Sequence, residues 1–209
     1  MKKTLILMMI AALAAAVPAA AAGQFTLVGG YALTTNAHIG GGVAFGLLLS
    51  LPIARGLSLE LGASRLQVST SDDPDGLSAG SVSLIPIEVG LRGRIPLGQK
   101  MALFAAAGAG ITLPHFAFDA GLVKSWTDIG FSLEEKLDLS FSASARCGLE
   151  AALTPRLGLV LEAGYRFCRA KGSWAIRDAV GSESVSGTFT GLNLDSIVLG
   201  LGLAFSFGR

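Results

Sequence analysis

Eight charged residues stand where charge is hardest to place. Glu60, Glu88, Glu150 and Glu162, together with Arg92, Arg94, Arg146 and Arg166, each interrupt an otherwise apolar stretch. Four of each sign suits a paired set, because a charge withdrawn from water needs a partner. Arg146 is expected to hold Glu150 or Glu162. Nucleophilic chemistry would need a histidine within hydrogen-bond reach of a hydroxyl. The histidines are His38 and His115, and no catalytic residue is assigned. Two cysteines, Cys147 and Cys168, add no ligand spacing, so no metal and no cofactor is expected. Gly40-Gly41-Gly42 reads as close backbone packing within a strand.

The elements that carry these charges show a period of two. Over 139–153 the odd positions are Leu139, Phe141, Ala143, Ala145, Cys147, Leu149, Ala151 and Leu153; the even ones include Ser140, Ser142, Ser144, Arg146 and Glu150. Over 157–167 the odd set runs Leu157, Leu159, Leu161, Ala163, Tyr165, Phe167, against Gly158, Val160, Glu162, Gly164, Arg166. The stretch 85–95 repeats this, with Glu88, Arg92 and Arg94 on the even side. Alternation of this kind is a strand with one apolar face. Cys147 and Cys168 then fall on opposite faces of neighbouring strands, so two free thiols are expected.

A soluble sandwich or lipocalin-like barrel would turn the apolar face inward; a membrane barrel turns it toward lipid. Volume favours the second. The apolar face is mainly Leu, Ile, Val and Phe, whereas the other face is small residues plus the eight charges. A water-facing wall normally carries many Lys, Asp and Glu, and the strand interiors hold almost none of the first two. One of those arginines in lipid at mid-depth would cost about 2–4 kcal/mol, so the charges belong inside. Arg65, Arg169 and Asp195 break the parity near the ends of their segments, where water and headgroups begin.

The 209 residues are 51% hydrophobic and 15% charged, with 28 glycines and a mean hydropathy of +0.61. No stretch after the first twenty-odd residues makes a good transmembrane helix. Lys2-Lys3, an apolar core from Leu5 to Val17, and Ala20-Ala21-Ala22 read as a signal peptide, residues 1–22, cut before Gly23. Its removal leaves 14 basic and 15 acidic residues, and nothing suggests nucleic acid as a partner. Short breaks at 54–56, 98–100 and 154–156 alternate with longer ones at 34–38, 70–79, 114–136 and 171–190. Eight strand segments remain: 24–33, 39–53, 57–69, 80–97, 101–113, 137–153, 157–170 and 191–207. The fold class is therefore all-β: an eight-stranded antiparallel up-and-down transmembrane barrel over 23–209, termini at the short-turn, periplasmic end.

With that pattern, and with a last strand Leu199-Gly200-Leu201-Gly202-Leu203-Ala204-Phe205-Ser206-Phe207, the chain resembles the small eight-stranded outer-membrane barrels of the OmpA-barrel, OmpX and OmpW types. The resemblance covers the whole chain after the signal segment. It implies a bacterial outer-membrane location, outer-membrane lipid and the barrel-insertion machinery as partners, and an assembly signal at Leu201, Leu203, Phe205 and Phe207. Gly208-Arg209 follow the aromatic that usually ends such chains. The expected function is a non-enzymatic barrel with a closed, charge-paired lumen and loops for surface interaction or envelope integrity. A narrow channel for small apolar solutes is the alternative, supported by inward Leu48, Phe104 and Val160 and by small residues at Gly40, Gly42, Ala44 and Gly46. Lipid A modification is a weaker third reading, because the deacylase pattern of serine two residues after histidine meets Gly40 and Ala117 here.

Overall fold

The computed structural model describes residues 22–36, 39–71, 78–178 and 183–208. The expected signal segment, but for Ala22, and His38 lie outside them. Among the described residues ten strands run in chain order: β1 (Gly23–Thr34), β2 (Ile39–Ala54), β3 (Leu57–Ser71), β4 (Ser78–Pro96), β5 (Met101–Phe118), β6 (Phe131–Leu137), β7 (Ser140–Ala152), β8 (Leu157–Asp178), β9 (Glu183–Asn193) and β10 (Ser196–Phe207), with one helix, α1 (Ala120–Asp128).

Eight of them close a ring in the order β1-β2-β3-β4-β5-β7-β8-β10, every neighbour antiparallel. Closure is by β1 on β10, twelve residues each, from Gly23↔Phe207 to Thr34↔Ser196. A closed ring satisfies every backbone group internally, as lipid demands. The outward odd positions are the most exposed large apolar residues: Phe45 is 63%, Leu161 57% and Leu201 61% exposed. An apolar surface of this extent belongs against acyl chains.

The segments expected to be loops at 114–136 and 171–190 are largely structured. β5 continues to Phe118 and β8 to Asp178. Beyond the ring, β6 and β9 flank the outer half of β8 as a three-stranded sheet. The alternation there is polar, as in Ser184-Val185-Ser186-Gly187-Thr188, because a strand standing clear of lipid needs no apolar outer face. Helix α1 starts at Asp119, whose carboxylate accepts the N–H groups of Gly121 at 2.8 Å and Leu122 at 3.4 Å, an N-cap arrangement. Trp126 then packs edge-on against Phe131, ring centroids 6.2 Å apart.

Both neighbours of β8 break at one level. β6 gives way to β7 at Asp138–Leu139, and β9 to β10 at Leu194–Asp195. Asp195 fills the second break. Its buried carboxylate accepts the Cys168 N–H at 2.9 Å, the Tyr165 hydroxyl at 2.8 Å and Arg169 Nη2 at 3.1 Å. The parity-breaking Asp195 and Arg169 are thus partners.

Candidate functional site

The even positions of the ring strands meet inside the barrel, and the structure places all eight Glu and Arg residues there. Arg92 bridges Glu150 and Glu60, the latter at 3.8 Å. Arg94 Nε reaches Glu150 at 2.7 Å. Arg146 bridges Glu60 and Glu162, the latter at 3.1 Å. Six charges so form one chain, Arg94–Glu150–Arg92–Glu60–Arg146–Glu162. The last two make a second group, Arg166 Nε to Glu88 at 3.4 Å, with Ser144 donating to Glu88 at 2.7 Å. Arg146 therefore holds Glu162 together with Glu60, and not Glu150. Its partner Glu60 lies three strands away in the ring, a distance that strand order and tilt determine and linear spacing does not record.

Some of these contacts run along the wall between neighbouring strands, and others cross the lumen. Arg166 on β8 donates to Ser64 on β3 at 3.1 Å, from one wall to the diametrically opposite one in an eight-stranded ring. Glycines make room for the long side chains. A Cβ at Gly164 would sit 2.6 Å from Arg146 Cγ, and one at Gly148 would sit 2.8 Å from the Phe104 ring. That ring in turn lies 4.1 Å beneath the Arg92 guanidinium, a cation–π contact in a desolvated setting. Phe104, Val160 and Ala204 form a small apolar cluster at this level.

Above the charges the lumen changes character. Leu66, Val68, Val82, Leu84 and Leu194 are each about 1% exposed and pack with Ile39, Ala32, Ala44, Cys168 and Ala170 into one cluster. An even face of small and charged residues, as the sequence leads one to expect, does not contain this layer. Its signal is an inversion of the alternation: Arg65-Leu66-Gln67-Val68-Ser69 and Ser81-Val82-Ser83-Leu84 put apolar residues on the even side. The outward partners Arg65, Gln67 and Ser69 are exposed. Between the two layers a cavity of 60 Å³ remains, lined by Gly30, Ala44, Gly46, Leu48, Glu88 and Arg166 among others. This is room for ordered water among the charged groups.

The outer mouth opens above the apolar layer. A cavity of 830 Å³ lies there, lined by Phe116, Phe118, Leu133, Glu135 and Trp174 among others. Beyond Thr112, the ladders of the described residues join β5 to β4 alone; β7 leaves it at Thr112↔Ser140 and β6 pairs only with β8. The wall has a seam between β5 and β6, and the cavity sits at that seam. Burial at its edge pushes the Glu135 carboxyl above the ordinary carboxylate range.

Of the remaining candidates, Leu201, Leu203 and Phe205 point outward and are exposed, and Phe207 stacks on Phe25 with centroids 5.2 Å apart. Cys147 is exposed and Cys168 buried, both as free thiols. His115 is exposed on the outer wall of β5, with Ala117 two residues beyond.

A family model described as outer membrane protein beta-barrel domain matches residues 4–207. The chain is similar in fold to OprG, an outer membrane protein of Pseudomonas aeruginosa, at 17% identity over 90% of this chain and 98% of that one, TM-score 0.63. Neisserial surface protein A aligns at 13% identity over 89% and 96%, TM-score 0.53. A major outer membrane protein of Thermus thermophilus aligns at 14% identity over 88% and 99%, TM-score 0.53. No curated protein matches the sequence.

Proposed function

We propose that this chain, which belongs to the outer membrane protein beta-barrel domain family, is a non-enzymatic barrel whose lumen is sealed along its axis and whose function lies in its outer extension. The observation that carries this reading is the contact across the lumen: Arg166 to Ser64 on the opposite wall, and Arg146 to Glu60 three strands away. Opposed wall-to-wall pairs leave no continuous water path, and the apolar layer above them is a second seal. The sheet of β6, β8 and β9 with helix α1 then presents the surface that meets the outside, for adhesion, ligand capture or envelope integrity. In this reading residues 1–22 are removed on export, and Leu201, Leu203, Phe205 and Phe207 present the signal read by the insertion machinery.

The test is conductance. The purified barrel in planar bilayers should show no stable channel; sizeable steady conductance would remove the reading.

The seam between β5 and β6 favours a second one, passage of small apolar solutes from the outer mouth through the wall at the outer edge of the membrane. Phe116, Phe118, Leu133 and Trp174 line the cavity at the seam beside Glu134, Glu135 and Lys136, and the apolar cluster lies below it. Liposomes carrying the barrel should then accumulate a fluorescent apolar solute faster than empty ones, and Phe118→Asp should remove the gain. Equal rates in all three would discard this route.

A further inference from the structure

The two ends of the barrel differ in charge. The outer extension mixes both signs, with Asp119, Asp128, Glu134, Glu135, Asp138 and Asp178 beside Lys124, Lys136, Lys171 and Arg177. At the other end each of the three hairpin turns carries one cation and no anion: Arg55 between β2 and β3, Lys100 between β4 and β5, Arg156 between β7 and β8. All three are exposed. None has an ion pair among the described residues. The carboxylates nearest in sequence, Glu60, Glu88, Glu150 and Glu162, lie inside the barrel and are already paired.

The cations hang from fixed backbone. The Lys100 carbonyl accepts the Ala152 N–H at 2.7 Å, the Arg156 carbonyl accepts the Ser206 N–H at 2.8 Å, and the Gly56 carbonyl beside Arg55 accepts the Arg94 N–H at 2.7 Å. Thr154 Oγ1 further accepts the Leu157 N–H at 3.0 Å and closes the third turn. Following the ring order, the three turns are spread around the circumference, and the chain termini occupy the fourth position. Just above lie outward apolar residues that mark the edge of the lipid-facing band, Ile53, Leu97, Met101 and Leu153. The cations therefore stand where headgroups begin.

We propose that Arg55, Lys100 and Arg156 form a basic rim that binds the headgroups of anionic phospholipids in the periplasmic leaflet. The chemistry is charge complementarity at a surface: a lysine or arginine near an anionic leaflet gains from its potential, and the gain is screened by salt. Spacing around the ring lets separate lipids meet separate cations, so the contributions add. The rim also opposes translocation of the short turns through the bilayer, which fixes the barrel's depth.

The experiment uses the barrel purified from membranes and reconstituted in phosphatidylcholine vesicles with and without phosphatidylglycerol. Spin-labelled phosphatidylglycerol and phosphatidylcholine report relative association with the protein. The native chain should prefer phosphatidylglycerol several-fold at low salt, and the preference should fall toward unity at high salt. Arg55→Gln, Lys100→Gln and Arg156→Gln should each lower it, and the triple variant should abolish it. A control, Arg65→Gln with Lys171→Gln at the outer end, should keep it, which separates the two leaflets. Because the turns are exposed, the single variants report even if the triple variant folds poorly. Equal association of both lipids with the native chain, as a rim that instead docks a soluble acidic partner would give, overturns the proposal. So does a preference that none of the single variants lowers or that the outer-end control removes.

Discussion

The inner and outer halves of this barrel are built from the same inward parity and opposite chemistry. In the inner half the outward residues are Leu, Ile, Val and Phe, and the inward ones are Glu and Arg. In the outer half of β3, β4 and β5 the outward residues are Arg65, Gln67, Ser69, Ser83 and His115, and the inward ones are Leu66, Val68, Val82, Leu84 and Phe116. The difference follows from what surrounds the wall. Lipid outside forces polarity inward, where each charge must find a partner. Water outside removes that demand, and the interior can be filled as in a soluble protein, by packed apolar volume. On β3, β4 and β5 the row through Arg65, Ser83 and His115 is therefore where the lipid-facing wall ends.

The comparison is broken most severely by uncovering a charge. Arg146→Ala leaves Glu60 and Glu162 without their shared cation and should cost about 3–5 kcal/mol of stability in denaturant titrations. The apolar layer responds to volume instead: Leu66→Ala should cost about 2–5 kcal/mol, set by the cavity left behind. A stability unchanged by the first and lowered by the second would mean that the charges are solvated.

The outer surface gives a paired test of the boundary. Leu161→Arg places a guanidinium against lipid and should cost about 2–4 kcal/mol, whereas Gln67→Arg, on the same outward parity but above the boundary, should be nearly silent. Folding yields into vesicles measure both. Equal losses would contradict the inversion.

The smallest effect concerns Glu135. Its carboxyl is held above the ordinary range by burial, so the folded chain binds that proton more tightly than the unfolded one. Its contribution to the outer sheet is full below the ordinary carboxylate value and is lost as pH rises through the raised one. Protection of the β6 amides, corrected for the intrinsic base-catalysed rise in exchange, should fall from acidic to neutral pH in the native chain, and Glu135→Gln should blunt that change.

How far these features are legible in the sequence depends on what produces them. The ring is readable because lipid imposes a period of two over long runs such as 139–153, and the number of runs sets the number of strands. β6 and β9 are not, because clear of the bilayer nothing enforces apolar alternation and Ser184 to Thr190 reads as loop. The apolar layer escapes a single parity rule carried through to the strand ends, although Arg65-Leu66-Gln67-Val68 already reverses it. The partnership of Arg146 with Glu60 is beyond the reach of linear spacing: it depends on which strands face each other across the axis.

Membrane depth along the outer wall tests the inversion most directly. Nitroxides at position 161 and at positions 67 and 83 can be relaxed by oxygen, which partitions into lipid, or by a water-soluble nickel chelate. The inversion predicts that the label at 161 responds to oxygen and those at 67 and 83 to the chelate. Lipid-like relaxation at 67 and 83 would place Arg65 and its neighbours inside the bilayer and contradict the two-chemistry barrel.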